Sequence, residues 1–113
     1  MGNEIRLKAN TWNYHIIGGD HHRLELVNQE NVVKDVLADP SMILPNSDDP
    51  NDTRQKYIDF AQLPGCSTVR NLVVVVDHAN DDFGDVVTAI AKKNLNGETG
   101  GAVYVRPKST RSE

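Results

Sequence analysis

The chain has 113 residues, enough for one domain with a hydrophobic core but too few for a deep cavity around a large cofactor. Its net charge of −4 counts against a protein that coats nucleic acid through a broad basic face, although a local basic cleft remains compatible with it. One cysteine, Cys66, excludes an internal disulfide and fits a reducing compartment. With no membrane-length apolar stretch and no signal-peptide pattern, the sequence predicts a cytoplasmic protein.

The N-terminal third predicts a strand followed by a helix. Residues 4–10 alternate apolar and polar side chains, as a strand does. Trp12 to Ile17 could continue as a second short strand or turn, which Gly18-Gly19 would end. After a fair N-cap at Asn28, four apolar residues fall on one helical face: Val32, Val33, Val36 and Leu37. Asp39-Pro40 ends this helix, because the residue before a proline avoids helical geometry.

The rest of the chain predicts strands separated by turns. Leu72 to Val76 is an unbroken β-branched run, which is typical of a central strand buried on both faces. Other strands are predicted at Ser41 to Leu44, Gln55 to Phe60, Asp85 to Ala91 and Val103 to Val105, with an exposed loop over residues 45–53. The order predicts an α+β fold with an N-terminal helix or helices packed on an antiparallel sheet of about four strands. It forms one domain, residues 1–107, followed by a loose tail, residues 108–113.

Histidines near the N-terminus are the first candidates for chemistry. His15 precedes Asp20-His21-His22, and an imidazole moves protons near neutral pH, so His15 and His21 are candidate general acid and base. Metal binding is an alternative, but the spacing matches no tight ligand pattern, and Asp77-His78 would complete a site only through folding. Surface or capping histidines are the other alternative. No activated thiol is indicated at Cys66.

Arg54, Tyr57 and Thr88 supply the remaining candidates. Arginine holds a phosphate through two donors, and the tyrosine and threonine hydroxyls donate further hydrogen bonds to it. Residues three apart on a strand point to opposite faces, so Arg54 and Tyr57 share a site only if Arg54 lies in a loop or a bulge intervenes. The alternative is a surface arginine, a half-buried tyrosine and a threonine that only favours the strand.

These residues, taken in order, resemble the barnase, EndoU, colicin and RelE-like group of small nucleases, and within it the phage-associated members. The resemblance covers roughly residues 10–91. It is carried by six short motifs: Trp12-Asn13-Tyr14-His15-Ile16, Asp20-His21-His22, Val36-Leu37-Ala38-Asp39-Pro40-Ser41-Met42-Ile43, Arg54-Gln55-Lys56-Tyr57, Leu72-Val73-Val74-Val75-Val76 and Val86-Val87-Thr88-Ala89.

The resemblance implies a helix or two on a four-stranded antiparallel sheet, with the active site on the open sheet face. It implies RNA cleavage without a metal or other cofactor, by attack of the 2′-OH on the adjacent phosphate. His15 and His21 match its N-terminal histidines, Arg54 and Tyr57 its central pair, and Thr88 its terminal-strand hydroxyl. RNA is the implied substrate, and an immunity or antitoxin-type protein is a conceivable partner. The alternative is a non-catalytic, phage-type interaction module whose acidic loop around Asp48-Asp49 contacts a basic partner.

Overall fold

The structure is a computed structural model that describes residues 4–8, 11–12, 26, 29–79, 83–95 and 104–106. Strands dominate it, with 47% of the described residues in strands and 16% in helices, so sheet pairing rather than helix packing organises the fold. The elements in chain order are β1 (Glu4–Arg6), α1 (Glu30–Ala38), β2 (Met42–Pro45), β3 (Arg54–Ala61), β4 (Arg70–Asp77), β5 (Phe83–Lys92) and β6 (Tyr104–Val105).

All six strands belong to one sheet, in the order β1-β5-β4-β3-β2-β6. β1 runs parallel to β5, and every other neighbouring pair is antiparallel. The sheet curls into a half-barrel. A bulge in β5, between the partners of Val75 and Val76, shifts the register there, and such bulges increase the local bend of a strand.

The predicted fold class is therefore wrong. The sheet has six strands of mixed direction rather than about four antiparallel ones, and α1 is the only α-helix longer than one turn in the described part of the chain. The first element is β1, which joins the sheet beside β5, about eighty residues further along the chain. Alternating side chains indicate a strand but carry no information about its partner or direction. β1 covers residues 4–6 of the strand predicted at residues 4–10, and β6 covers residues 104–105 of the strand predicted at Val103 to Val105.

The prediction of a central strand at residues 72–76 is confirmed. β4 lies between β3 and β5, and its middle residues are buried on both sides. Leu72, Val74 and Val76 have no exposed surface, while Val73 and Val75 are nearly as buried on the opposite side. Branched side chains on consecutive positions suit a strand that other elements cover on both faces.

The predicted helix is also confirmed. α1 begins at Glu30, so the N-cap position is Gln29 rather than the predicted Asn28, and the buried residues of the helix are Val33 and Val36. Glu30 in the first turn places a negative charge where the helix dipole favours one. The helix packs on β3 and β4 and ends where Asp39-Pro40 was expected to end it. No helix among the described residues is long and apolar enough to cross a membrane.

The sheet has two unlike faces. The face under α1, here the first face, carries Tyr57, Leu72, Val74, Val76, Val86 and Ala89, all members of the larger hydrophobic cluster. The opposite side, here the second face, carries Arg54, Lys56, Ile58, Val73, Val75 and Thr88. At its centre Ile58 and Val73 form a smaller cluster with Leu44, against which Met42 and Leu95 pack. Arg54 and Lys56 place two cations of β3 on the second face, whereas the charged residues Asp59 and Arg70 lie on the first face, at the end of the sheet away from Arg54.

An ion pair network fastens β6 to the rest of the molecule. The Arg106 Nη2 donates to Asp59 Oδ2 at 2.6 Å and to the backbone oxygen of Asp39. The Arg106 Nε lies 3.3 Å from Asp39 Oδ1. The hydrogen bond to Asp59 raises the pKa of Arg106, so this residue stays charged and ties the edge strand to β3 and to the end of α1.

Candidate functional site

A row of directly paired residues crosses the second face near one end of the sheet. Lys56 on β3 pairs with Val75 on β4, and Val75 pairs with Thr88 on β5. With strands about 4.8 Å apart, the Cα atoms of Lys56 and Thr88 are separated by about 10 Å, with Val75 between them. Both polar residues are partly exposed. An anion bound between the exposed parts of these two side chains would meet an ammonium group from one side and a hydroxyl from the other.

Arg54 adds a second cation to this end of the face. It lies two residues before Lys56 on β3, which places it on the same side at about 7 Å along the strand. Its Nε is 3.8 Å from Asp77 Oδ2, and its side chain is half exposed. An exposed ion pair of this length is weak. The guanidinium can therefore exchange Asp77 for an anionic ligand at little energetic cost.

The carboxylates next to Arg54 have partners of their own. Asp77 accepts hydrogen bonds from the Thr53 hydroxyl at 2.6 Å and the Ala79 N–H at 2.9 Å. These bonds, the Thr53 one foremost, lower the pKa of Asp77. Asp85, the cross-strand partner of Asp77, lies 3.6 Å from the Lys8 Nζ. Two carboxylates opposite each other on neighbouring strands repel, and the cations on either side of the pair offset that repulsion.

A tyrosine and histidine pair occupies the same end of the first face. The Tyr57 hydroxyl lies 3.0 Å from His78 Nε2, with the ring centroids 5.9 Å apart. Burial raises the pKa of Tyr57 and lowers the pKa of His78, so both groups favour their neutral forms. A Cβ built on Gly84 would lie 3.0 Å from the imidazole and 2.8 Å from Val76 Cγ1. The absence of a side chain at Gly84 makes room for this ring.

The predicted site residues divide between the two faces. Arg54 and Thr88 lie on the second face, whereas Tyr57 lies on the first face with its hydroxyl directed at His78. Arg54 is the first residue of β3 and no bulge separates it from Tyr57, so the period of two turns the pair apart. His15 and His21, together with the tail at residues 108–113, lie outside the described residues.

Two residues with clear places in the structure were not among the predicted site residues. Lys56 follows Arg54 by two positions, so the alternation of β3 was the signal that could have selected it in place of Tyr57. His78 appeared in the sequence only as a conceivable metal ligand. Its contact with Tyr57 depends on β3 pairing with β4 in this register, which local sequence does not encode.

The acidic loop at residues 46–53 is ordered by its own hydrogen bonds. Asn46 Nδ2 and Ser47 Oγ donate to Asp52 Oδ2 at 2.9 and 2.7 Å. With the Asn46 bond as the largest cause, these contacts lower the pKa of Asp52 to about 2. Asp49 Oδ1 accepts from the Asn51 N–H at 2.9 Å, and Asp48 is exposed. The loop therefore presents fixed negative charge at neutral pH.

Metal ligands are not grouped in the described part of the chain, where no three His, Cys, Asp or Glu residues come together. Cys66 is partly buried in the loop before β4. Comparisons with protein-family models, with curated proteins and with solved structures found no match. The site is therefore interpreted from its own chemistry.

Proposed function

We propose that this protein is a metal-independent endoribonuclease whose phosphate site is the end of the second face that carries Arg54, Lys56 and Thr88. The observation that supports the proposal is the row Lys56, Val75 and Thr88, with Arg54 beside it on the same face. Two cations and a hydroxyl spaced over a buried valine form a cradle for one phosphate. The local cradle also reconciles phosphate binding with a net charge of −4.

In this mechanism the 2′-OH of RNA attacks the adjacent phosphorus and the 5′-oxygen leaves. One histidine removes the proton from the 2′-OH and another returns a proton to the leaving oxygen. The sequence resemblance supports His15 and His21 for these roles. Arg54 and Lys56 neutralise the phosphate, and the charge that develops on its oxygens is stabilised by the Thr88 hydroxyl. Tyr57, engaged with His78 under α1, serves the fold in this proposal.

The direct test incubates the purified protein with total RNA and excess chelator. The expected products are fragments with 2′,3′-cyclic phosphate ends. Thr88→Val, which removes the hydroxyl at nearly constant shape, is expected to lower kcat by roughly 10²- to 10³-fold. Lys56→Gln should also reduce cleavage. Its matched control is Lys34→Gln, which removes the same charge from an exposed position on α1, away from the second face, and should leave cleavage unchanged.

Absence of cleavage, or cleavage that the chelator abolishes, would contradict the proposal. Equal losses in Lys34→Gln and Lys56→Gln would show that net charge, rather than the cradle, governs activity.

The second candidate is a non-catalytic module that binds a basic partner through the loop at residues 46–53. The fixed geometry of this loop, with Asp48 exposed and Asp52 held ionised, favours it. Expression in bacteria separates the two candidates. Growth arrest that disappears in His15→Ala supports the nuclease. Arrest that survives His15→Ala but disappears on combining Asp48→Asn with Asp49→Asn supports the binder, because these amides keep hydrogen-bond acceptors while removing two of the three negative charges of the loop.

A further inference from the structure

Phe60 is the feature of the second face that the cleavage chemistry does not use. Its side chain is 69% exposed, the largest exposure among the large hydrophobic residues of the described chain. It lies on β3 on the same side as Lys56, and it pairs across the sheet with Asn71, which pairs in turn with Lys92. A phenyl ring has a flat face on which another ring can stack. It lies on the same face as the proposed RNA site, so an exposed ring here could contact the substrate.

The charges around Phe60 suit a polyanion. The region considered is the part of the second face between two sets of paired residues, one that contains Phe60 and one that contains Lys56. The described strand residues there include the cations Lys56 and Lys92 and no carboxylate. Asp77 and Asp85 lie beyond Lys56, at the far end of the face. A protein partner that buried Phe60 would also have to desolvate Lys92 and Asn71 beside it, whereas a nucleic acid leaves such polar neighbours at a wet, charged interface.

The side chain of Asn71, beside Phe60, is held by a hydrogen bond to the neighbouring strand end. Its Nδ2 donates to the backbone oxygen of Lys93 at 3.3 Å, which fixes the amide against the end of β5. The phenyl ring therefore stands next to a positioned polar group rather than a mobile one. A stacking platform benefits from such support because less side-chain freedom is lost when the ligand binds.

We propose that Phe60 is a stacking subsite for a base of single-stranded RNA; this inference rests on the proposed ribonuclease function. Phe60 follows Lys56 by four residues, which places it about 13 Å along the strand from the phosphate cradle. That separation assigns it to a neighbouring nucleotide rather than the one that is cleaved. Stacking on an aromatic side chain tolerates any base, so the substrate is an unpaired stretch of RNA of no particular sequence at this subsite.

The test measures binding without cleavage. A fluorescein-labelled 2′-O-methyl RNA octamer, whose blocked 2′ oxygens cannot attack the phosphate, is titrated by anisotropy with the full chain. Phe60→Ala is expected to weaken binding roughly 5- to 150-fold, the range that stacking of one base gives. Phe60→Trp is expected to retain or strengthen it. Val69→Ala, a change at another exposed hydrophobic residue that lies in the loop before β4, is the matched control and should leave binding unchanged.

Salt dependence distinguishes stacking from charge. Lys56→Gln should lower the slope of log affinity against log salt by about 0.7, the value for one phosphate contact on a single strand, whereas Phe60→Ala should leave the slope unchanged. Equal affinity of Phe60→Ala and the unaltered protein, or failure of the octamer to bind at all, would overturn the subsite. The subsite would also be overturned if Phe60→Ala changed the sedimentation of the protein while its RNA affinity stayed the same. The ring would then serve contact between two copies of this chain.

The subsite and the nuclease fail in different ways. If Phe60→Ala weakens octamer binding while no RNA is ever cleaved, the subsite stands and the ribonuclease function does not. If the unaltered protein cleaves RNA, and Phe60→Ala matches it both in octamer affinity and in cleavage of long RNA, the ribonuclease function stands and the subsite is wrong.

Discussion

The first and second faces of the sheet are built from the same strands but differ in what they bury. On β4, Leu72, Val74 and Val76 face α1 and have no exposed surface, while the alternate residues Val73 and Val75 face the other way. The first face ends in the neutral Tyr57 and His78 pair. The second face ends in the charged residues that surround the proposed phosphate cradle. Alternation along one strand thus separates what holds the fold from what can meet a ligand.

This division has an energetic reason. A cation placed under α1 would lose its hydration and find no partner in an apolar cluster. The idealised cost of moving an ion from water to such a site is about 20 kcal/mol, and the cost after the protein relaxes is still several kcal/mol. On the second face the same cation keeps contact with solvent. Placing Arg54 and Lys56 on one side of β3 and Tyr57 on the other satisfies both demands with one strand.

The largest expected effect comes from the first face. Leu72→Ala should lower the free energy of unfolding by about 2–5 kcal/mol, because it removes a fully buried side chain from the centre of the larger cluster. Phe60→Ala, on the exposed part of the second face, should change it by less than about 0.5 kcal/mol. Urea denaturation monitored by circular dichroism measures both. Comparable losses in the two variants would break the division between the faces.

The next effect tests how tightly the end of the first face is packed. Gly84→Ala should lower the free energy of unfolding by about 1–3 kcal/mol, because the added Cβ would lie 2.8 Å from Val76 Cγ1, a distance that requires a shift, and within a tight 3.0 Å of the His78 ring. Gly65→Ala is the matched control: its φ of +77° strains an alanine by about 1–2 kcal/mol, with nothing within 4 Å of the new atom. The two costs thus have different origins, packing at one site and backbone conformation at the other.

A double-mutant cycle separates these origins. Val76→Ala and Gly84→Ala together should lower the free energy of unfolding by less than the sum of the two single losses, because Val76→Ala removes the Cγ1 atom that the new Cβ would strike. Val76→Ala combined with Gly65→Ala should be additive. Additivity in both cycles would show that Gly84 is not in close contact with Val76.

Much of this fold follows from local sequence, and the remainder depends on pairing across the chain. The β-branched run at residues 72–76 and the apolar stripe of α1 each predict their own structure, because both are buried through contacts that any apolar neighbour can supply. The parallel pairing of Ile5 with Gly84 has no local cause. The pairing covers residues 83–85 of β5, which would otherwise be an open edge of the sheet.

The candidate site divides in the same way. The period of two on β3 is enough to place Arg54 and Lys56 together and Tyr57 apart, and it required only that β3 be a regular strand. The alignment of Lys56 with Thr88 on either side of Val75 depends on the registers of two strand pairs and on the position of the bulge in β5. A one-residue slip between β4 and β5 would have moved the Thr88 hydroxyl to the first face, and one between β3 and β4 would have moved Lys56 there. Local sequence therefore predicts the residue types but not their assembly.

Tyr57→Phe tests whether the first face contributes to the proposed chemistry. Loss of the hydroxyl that contacts His78 Nε2 should lower the free energy of unfolding by about 0.5–1.5 kcal/mol. RNA cleavage under conditions where the variant is fully folded should be unchanged. Thr88→Val is the opposite case, in which cleavage by the folded variant is expected to be lost. A loss of cleavage in Tyr57→Phe, without unfolding, would assign the tyrosine to the site and remove the functional difference between the two faces.

The smallest expected effect is a difference in pH dependence caused by His78. Burial lowers the pKa of His78 below 6.5, so the unfolded chain binds a proton at a higher pH than the folded one does. The stability due to the neutral imidazole is therefore complete above pH 6.5 and is lost as the pH falls from 6.5 through the lowered pKa. Its slope stays below about 1.4 kcal/mol per pH unit, the limit for one proton.

His78→Gln removes this titration, and its unfolding free energy should fall less steeply than that of the unaltered protein between pH 7.5 and 5. The other histidines of the chain titrate in both proteins, so the difference between the two slopes isolates His78. The neighbouring Asp77 has a pKa lowered from 3.8, which places its own titration below this window. Equal slopes of unfolding free energy against pH in the two proteins would mean that the imidazole is as well solvated in the folded state as in the unfolded state. The end of the first face would then be as open to water as the proposed phosphate cradle on the second face.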